Sequence, residues 1–217
     1  MNGGQKKVFC QLIKCFFQIM TNKEQAINKI SEILYGYLKI PLSDEFKDTP
    51  KRIISAWEEF CSLEPDKIDK EIEKITETVF KTDNGGMIIV SPLTVTALCA
   101  HHLFPISYQI SFGYIPRKNK NTFIAIGLSK ILEVIQLIAR KRPHGQENFT
   151  KSIVNVFEKA LNPQGMGIIV LGVHECIRCR KNNGFKTITT SMQGSFTNLK
   201  TRMEFLELLK KNDVGIV

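Results

Sequence analysis

The sequence predicts an α+β fold built on an antiparallel sheet, and three observations predict it. Ile106, Tyr108, Ile110, Phe112 and Tyr114 alternate with Ser107, Gln109, Ser111 and Gly113, the period of two that marks a strand with one buried face. Two more strand-like runs, MGIIVLGV at 166–173 and KTITTSMQG at 186–194, lie close together near the C-terminal end. The helical patterns, in contrast, come in groups, before residue 84, between 128 and 161, and after 199. A doubly wound parallel sheet alternates strand and helix regularly, so this grouping argues against one. With 217 residues, 43% of them hydrophobic, the chain has material for one core with a helical appendage.

Taken in order, the elements follow from their spacing. Residues 1–20 read as an N-terminal extension, helical or disordered. Lys6 and Lys7 precede an apolar run as in a signal peptide, but Lys14 interrupts it and no small-residue cleavage site follows. Residues 21–83 read as a helical region. Ala26, Ile27, Ile30, Ile33, Leu34, Tyr37 and Leu38 are helically spaced, and Pro41 stops them. Asp48-Thr49-Pro50 is a helix start, and Ile53, Ile54, Trp57 and Phe60 are its expected buried face. The charged segment 64–83 is anchored by Ile68, Ile72 and Ile75, and Asn84-Gly85-Gly86 is a turn.

Residues 84–217 then form the expected main domain. Met87–Pro116 is its central stretch and leads into the alternating strand. RKNKN at 117–121 is an exposed loop, and Phe123–Ile126 a short strand. Ile131, Leu132, Val134, Ile135 and Ile138 mark a helix that Arg142-Pro143 breaks. Gln146-Glu147 opens another, with Phe149, Ile153, Val154, Phe157 and Leu161 inward, and Asn162-Pro163 ends it. A last helix spans about 199–211.

The formal charge of +9 suits an anionic ligand without choosing between nucleic acid, membrane surface and a phosphorylated small molecule. No platform of alternating Arg and aromatic residues favours nucleic acid. No apolar run reaches the roughly 18 residues of a membrane span. The six cysteines are unevenly spaced, which points to a reduced, cytoplasmic protein with a metal site rather than a disulfide framework.

Two of the four histidines are adjacent, in Cys99-Ala100-His101-His102, and a third stands in His174-Glu175-Cys176. The two stretches are expected to meet around one zinc ion. Cys99, His102, Cys176 and Cys179 would make a closed structural site. Cys99, His102 and Cys176 alone would leave a position for water. His101 and His174 favour the open site, because imidazoles beside an activated water suit proton movement near neutral pH. The bland reading of Cys99 and Cys176 is a pair of buried core thiols.

CAHHLFPISYQISFGYIP, followed by IGLSK, RPHGQE, LNPQG, HEC and KTITTS, resembles the GTP cyclohydrolase I family from about Thr21 to Leu209. The resemblance implies the tunnelling fold, a homodecamer with sites at subunit interfaces, and conversion of GTP to 7,8-dihydroneopterin triphosphate and formate, an entry into tetrahydrofolate and other pterin synthesis. It makes residues 84–217 the catalytic domain and implies zinc on Cys99, His102 and Cys176, with His101 and His174 moving protons. Gln146 and Glu147 would hold guanine, while Ser129, Lys130, Arg180 and Arg52 approach the triphosphate. The chain departs from the family's pattern at Ala100, where an acid is usual, at Glu133 and Asn148, where Arg is usual, and at Gly145, where an apolar residue is usual. A divergent member with altered substrate use, or a non-catalytic subunit with structural zinc, is the alternative reading.

Overall fold

The computed structural model describes residues 22–181 and 184–213, so the expected N-terminal extension lies outside the described residues. The chain divides into two compact units, one ending at Glu58 and one beginning at Glu59. In the first, helix α1 (Lys23–Ser31) starts at Asn22. The Asn22 side chain accepts from the Gln25 backbone and the Gln25 side chain accepts from Asn22, a reciprocal cap that satisfies two otherwise free amides. The helix widens into a π-helical turn over Glu32–Tyr37. Helix α2 (Thr49–Phe60) carries Pro50 in its first turn, where a missing N–H costs nothing. Its expected inward residues Ile53, Ile54, Trp57 and Phe60 are half-buried rather than buried.

The second unit begins with helix α3 (Pro65–Thr76), whose charged sequence still places Ile72 and Ile75 in the core. A four-stranded antiparallel sheet follows, made of β2 (Ile88–Leu98), β3 (Pro105–Ile115), β6 (Gly165–His174) and β7 (Lys186–Gly194) in that order. A smaller sheet holds β1 (Val79–Thr82), β5 (Thr122–Ile126) and β4 (Arg117–Asn119), with β5 central. Helices α4 (Leu128–Lys141) and α5 (Gln146–Leu161) carry the side chains that bury one face of the large sheet. Ile131, Val134, Ile135 and Ile138 recur at helical spacing and are buried, as are Phe149, Ile153 and Phe157. Phe157 packs at a tilt against Phe112 at 4.8 Å and Phe149 stacks on Tyr108 at 4.7 Å between ring centroids. Each such ring buries area worth about 1.5–3 kcal/mol. On the other face, Phe196 and Phe205 of the C-terminal segment, which ends in helix α7 (Leu199–Asp213), form a smaller cluster. Gly113 permits that approach, since a Cβ there would stand 2.7 Å from the Phe205 ring.

Three local differences from the sequence expectation have physical causes. The stretch 87–116 is two strands, β2 and β3, joined by a turn over 99–104, and not an approach to a single strand. Ser91-Pro92 disguises β2, because proline breaks a ladder. Here it falls where the register shifts between Val90 and Leu93, a bulge that tolerates it. The basic 117–121 segment is the exposed hairpin of β4 and β5 rather than an unpaired loop. A short helix α6 (Glu175–Lys181) stands where the sequence carries no hydrophobic period to announce it.

Register places the chemistry. Leu98 pairs with Pro105 and Ile106 pairs with His174. The end of β2 and the end of β6 therefore flank the same end of β3, and Cys99, His174 and Cys176 all follow from that end.

Candidate metal centre

Cys99 caps β2 at the mouth of a tight turn. Its N–H donates to the Phe104 carbonyl at 2.9 Å, and the Leu103 N–H returns to the Cys99 carbonyl at 2.9 Å. Leu103 takes a φ of +53°, an uncommon conformation for a branched residue, and His101 and His102 in the same turn are exposed. Cys176 sits in the first turn of α6 and is buried, as Cys99 is. The two sulfurs are 4.0 Å apart. Two thiolates on one tetrahedral zinc stand about 3.8 Å apart for bonds of about 2.3 Å, so the pair is spaced to share an ion. Among the described residues, the ligand atoms of Cys99, His174 and Cys176 all lie within 4.8 Å of one another. The donor set fits zinc: two soft sulfurs and an imidazole.

The imidazole in that trio is His174, and not His102 as the Cys-x-x-His spacing led one to expect. His102 is exposed, and its Nε2 accepts from Nη1 of Arg180 at 2.7 Å. His101 Nδ1 lies 3.8 Å from the Cys99 sulfur. Cys179 is exposed, with its sulfur 3.7 Å from a Glu175 carboxylate oxygen, apart from the trio. Among the described residues, neither the closed four-ligand arrangement nor the Cys99, His102 and Cys176 set is assembled.

His174 is held from behind. Its Nε2–H donates to Oε1 of Gln146 at 3.0 Å, which leaves the lone pair on Nδ1. Gln146 is buried at 3% exposure and is fully engaged. Its amide donates to the Val170 carbonyl at 2.9 Å and lies 3.2 Å from the Thr187 carbonyl and the Thr189 hydroxyl. Its carbonyl also accepts from the Thr187 hydroxyl at 2.6 Å. Gly172 makes room, because a Cβ there would stand 2.3 Å from Gln146 Oε1. Gln146 was expected against guanine, but its side chain is spent on His174 and the β7 threonines. Those threonines escaped the sequence reading, although Thr187 and Thr189, two apart on one strand face, are the visible signal.

Burial, more than any neighbour, sets the local acidities. It pulls His174 below the ordinary imidazole range, against the upward pull of Glu147, while His101 adds a smaller downward push. It pushes the Cys176 thiol up, and the adjacent Cys99 adds to that. Tyr108 is buried beside them with its hydroxyl unpartnered, and its phenol is strongly raised by burial and then by Cys99 and Glu147.

These groups open on one cavity of about 470 Å³, whose walls include Cys99, His101, His102, Glu147, His174 and Cys176. Glu147 is exposed in the first turn of α5, where the helix dipole favours its charge. Of the proposed phosphate residues, Arg180 contacts His102, a wall residue. Ser129 is exposed in the first turn of α4, and Lys130 forms an ion pair with Glu133 at 2.7 Å. Neither borders the cavity. Arg52 is exposed on α2, in the first unit.

Comparison with known proteins agrees with this reading. The family model described as GTP cyclohydrolase I matches residues 26–210. A "GTP cyclohydrolase 1" of Bacillus pumilus is 32% identical over 194 residues, covering 88% of this chain and 98% of its own. One from Carboxydothermus hydrogenoformans is 34% identical, covering 88% and 96%. One from Bacillus subtilis is 30% identical, covering 88% and 98%. With the two-cysteine centre at the end of its sheet and a match along nearly its whole length, the chain belongs to the GTP cyclohydrolase I family.

Proposed function

We propose that the protein is a zinc-dependent GTP cyclohydrolase I, converting GTP and water to 7,8-dihydroneopterin triphosphate and formate, with residues 84–217 as its catalytic part. The observation that carries this is one cavity joining a zinc-compatible sulfur pair, three imidazoles and a carboxylate at a helix start. Zinc at such a donor set supplies Lewis acidity and an activated water at neutral pH. Cys99 and Cys176 would hold it, with His102 as the third protein ligand from the Cys-x-x-His turn.

The rest of the chemistry falls to the chain's own groups. Burial lowers the affinity of His174 for protons, which favours the neutral ring, and its Nδ1 lone pair can accept a proton. His101, whose Nδ1 lies 3.8 Å from the Cys99 sulfur, would move the second proton. Opening an imidazole ring, releasing formate and closing a pterin ring require protons at different atoms, which two imidazoles can serve. Glu147 can accept from guanine N1–H and the exocyclic amine together, a pair of donors that adenine lacks. Gln146 keeps His174 in one tautomer.

A second ligand assignment has an observation in its favour, because His174 is the imidazole that converges on the sulfurs. Zinc content of His102→Ala and His174→Ala separates the two, since the ligand variant loses the metal and the other keeps it. Ser129, Lys130, Arg180 and Arg52 are proposed to hold the triphosphate. Because Ser129 and Lys130 lie off the cavity's walls, a second copy is proposed to supply them, in a homodecamer with sites at subunit interfaces. A cytoplasmic location is proposed with it. No helix among the described residues is long and apolar enough to cross a membrane.

The direct test is to incubate zinc-loaded protein with GTP and measure formate together with pterin fluorescence. Both should appear in equal amounts. Absence of both, with zinc bound and the oligomer intact, would leave a binding or regulatory subunit.

A further inference from the structure

Arg180 stands four residues after Cys176 on α6, one helical turn on and on the same face. Its Nη1 is 2.7 Å from Nε2 of His102, three residues after Cys99. A guanidinium has no acceptor and keeps its charge at any ordinary pH, so Nε2 of His102 must supply the lone pair. A neutral imidazole has one such pair. If a metal takes Nε2, it displaces Arg180 outright. If the metal takes Nδ1, the ring's proton moves to Nε2, which then confronts the guanidinium donor to donor. Either route leaves the Arg180 contact and metal ligation by His102 mutually exclusive.

We propose that Arg180 is a positioning residue for His102. It holds the imidazole by the nitrogen pair that the metal needs, and metal capture turns the freed guanidinium towards the anion the site is built to receive. This rests on His102 as the third zinc ligand. The consequence is a coupling between metal and anion, reciprocal by thermodynamic necessity. Loading the metal exposes a cation for the polyphosphate, and an anion that engages Arg180 removes the metal's competitor. The side chain proposed for the triphosphate would thereby report whether the centre is charged with metal.

A double-mutant cycle tests this. Zinc affinity is measured by competition with a chromogenic chelator for the wild-type chain, Arg180→Gln, His102→Ala and the double variant. Arg180→Gln should bind zinc about tenfold more tightly than wild type, the scale of a lost charge-assisted hydrogen bond. In the His102→Ala background the same change should alter affinity by no more than about twofold. An equal gain in both backgrounds would mean plain charge repulsion between guanidinium and zinc, and would overturn the proposal while leaving the zinc assignment intact. His102→Ala binding zinc as wild type does would remove His102 from the metal, and the proposal with it. Imidazole and guanidinium nitrogen NMR gives a second readout. Zinc should shift His102 and Arg180 together, and sulfate should then perturb the Arg180 side-chain signal in loaded protein but not in stripped protein. Sulfate perturbing both alike would contradict the release step.

Discussion

The two ends of the proposed substrate meet opposite kinds of protein. At the metal end, beside the buried sulfurs, the buried Gln146 amide locks one imidazole and is itself held by Val170 of β6, Thr187 and Thr189 of β7 and, through its backbone carbonyl, Thr150 of α5. At the proposed phosphate end, Ser129 and Lys130 stand on a half-exposed helix start, and the lysine is partnered by its own neighbour Glu133. The difference is between positions fixed by packing and positions left to charge. Bond-making chemistry tolerates little misplacement, so its residues are built into the sheet. Holding three phosphates needs positive potential more than geometry, and surface side chains can supply it.

The sharpest way to break this contrast is at the sulfurs. Cys176→Ala should lose zinc and reduce activity by more than about a hundredfold, beyond what losing a mere outer partner of a metal site costs. Cys179→Ala should keep both, because its thiol faces Glu175. Metal analysis of the two purified variants decides it, and equal loss would return the closed four-ligand site.

Next in size is the pair at the start of α5. Gln146→Ala should cost turnover about 10–100-fold through His174, and about 1–3 kcal/mol of stability from the buried groups it abandons. Glu147→Gln should leave stability unchanged and weaken kcat/KM for GTP by a factor set by about 1–3 kcal/mol. Thermal melts beside steady-state kinetics separate them. If Gln146→Ala raised only KM, Gln146 would belong to guanine after all.

Smaller effects are expected at the phosphate end. Glu133→Arg should lower KM for GTP several-fold by freeing Lys130 and adding charge, and the gain should shrink as salt rises. The ion pair itself is worth less than about 1 kcal/mol at its exposure, so stability should not change. A gain that ignored ionic strength would contradict the charge argument.

The smallest effect concerns pH. His144 stacks on Phe149 at 4.5 Å and is held below the ordinary imidazole range by burial, partly offset by the Arg142 carbonyl. The unfolded chain therefore takes up the proton first. The stability contributed by a neutral His144 is whole above about pH 6.5 and is lost as pH falls through that value. Denaturant melts of His144→Phe should show a flatter acid limb than wild type, and an identical slope would assign the acid sensitivity elsewhere.

The sequence made the metal end legible in kind but not in contact. Alternation exposed β3, helical spacing exposed α4 and α5, and the residue types of Cys99, His102 and Cys176, with His174 beside them, pointed to a candidate metal site. What stayed hidden depends on partners. Nothing in Gln146 announces that four neighbours will consume its amide, and Lys130 does not reveal that Glu133 will claim it, although the i,i+3 spacing allowed that inference. His102 looked like the natural partner of Cys99 because short spacing is visible. The convergence of His174 follows from a pairing between strands some seventy residues apart, which no local pattern encodes.

That pairing also constrains how this chain can change. Ile106 lies opposite Ala97 on one side and His174 on the other. Successive residues of a strand face opposite ways, so inserting or deleting one residue near that end would slip a ladder and carry Cys99 or His174 to the wrong face of the sheet. The hairpin between β4 and β5, in the smaller sheet, carries no such reading frame and can lengthen freely. Length variation among working versions of this protein should therefore gather at 117–121 and be barred from 97–108, so that the spacing from Cys99 to Ile106 is as much a part of the metal centre as the sulfurs are.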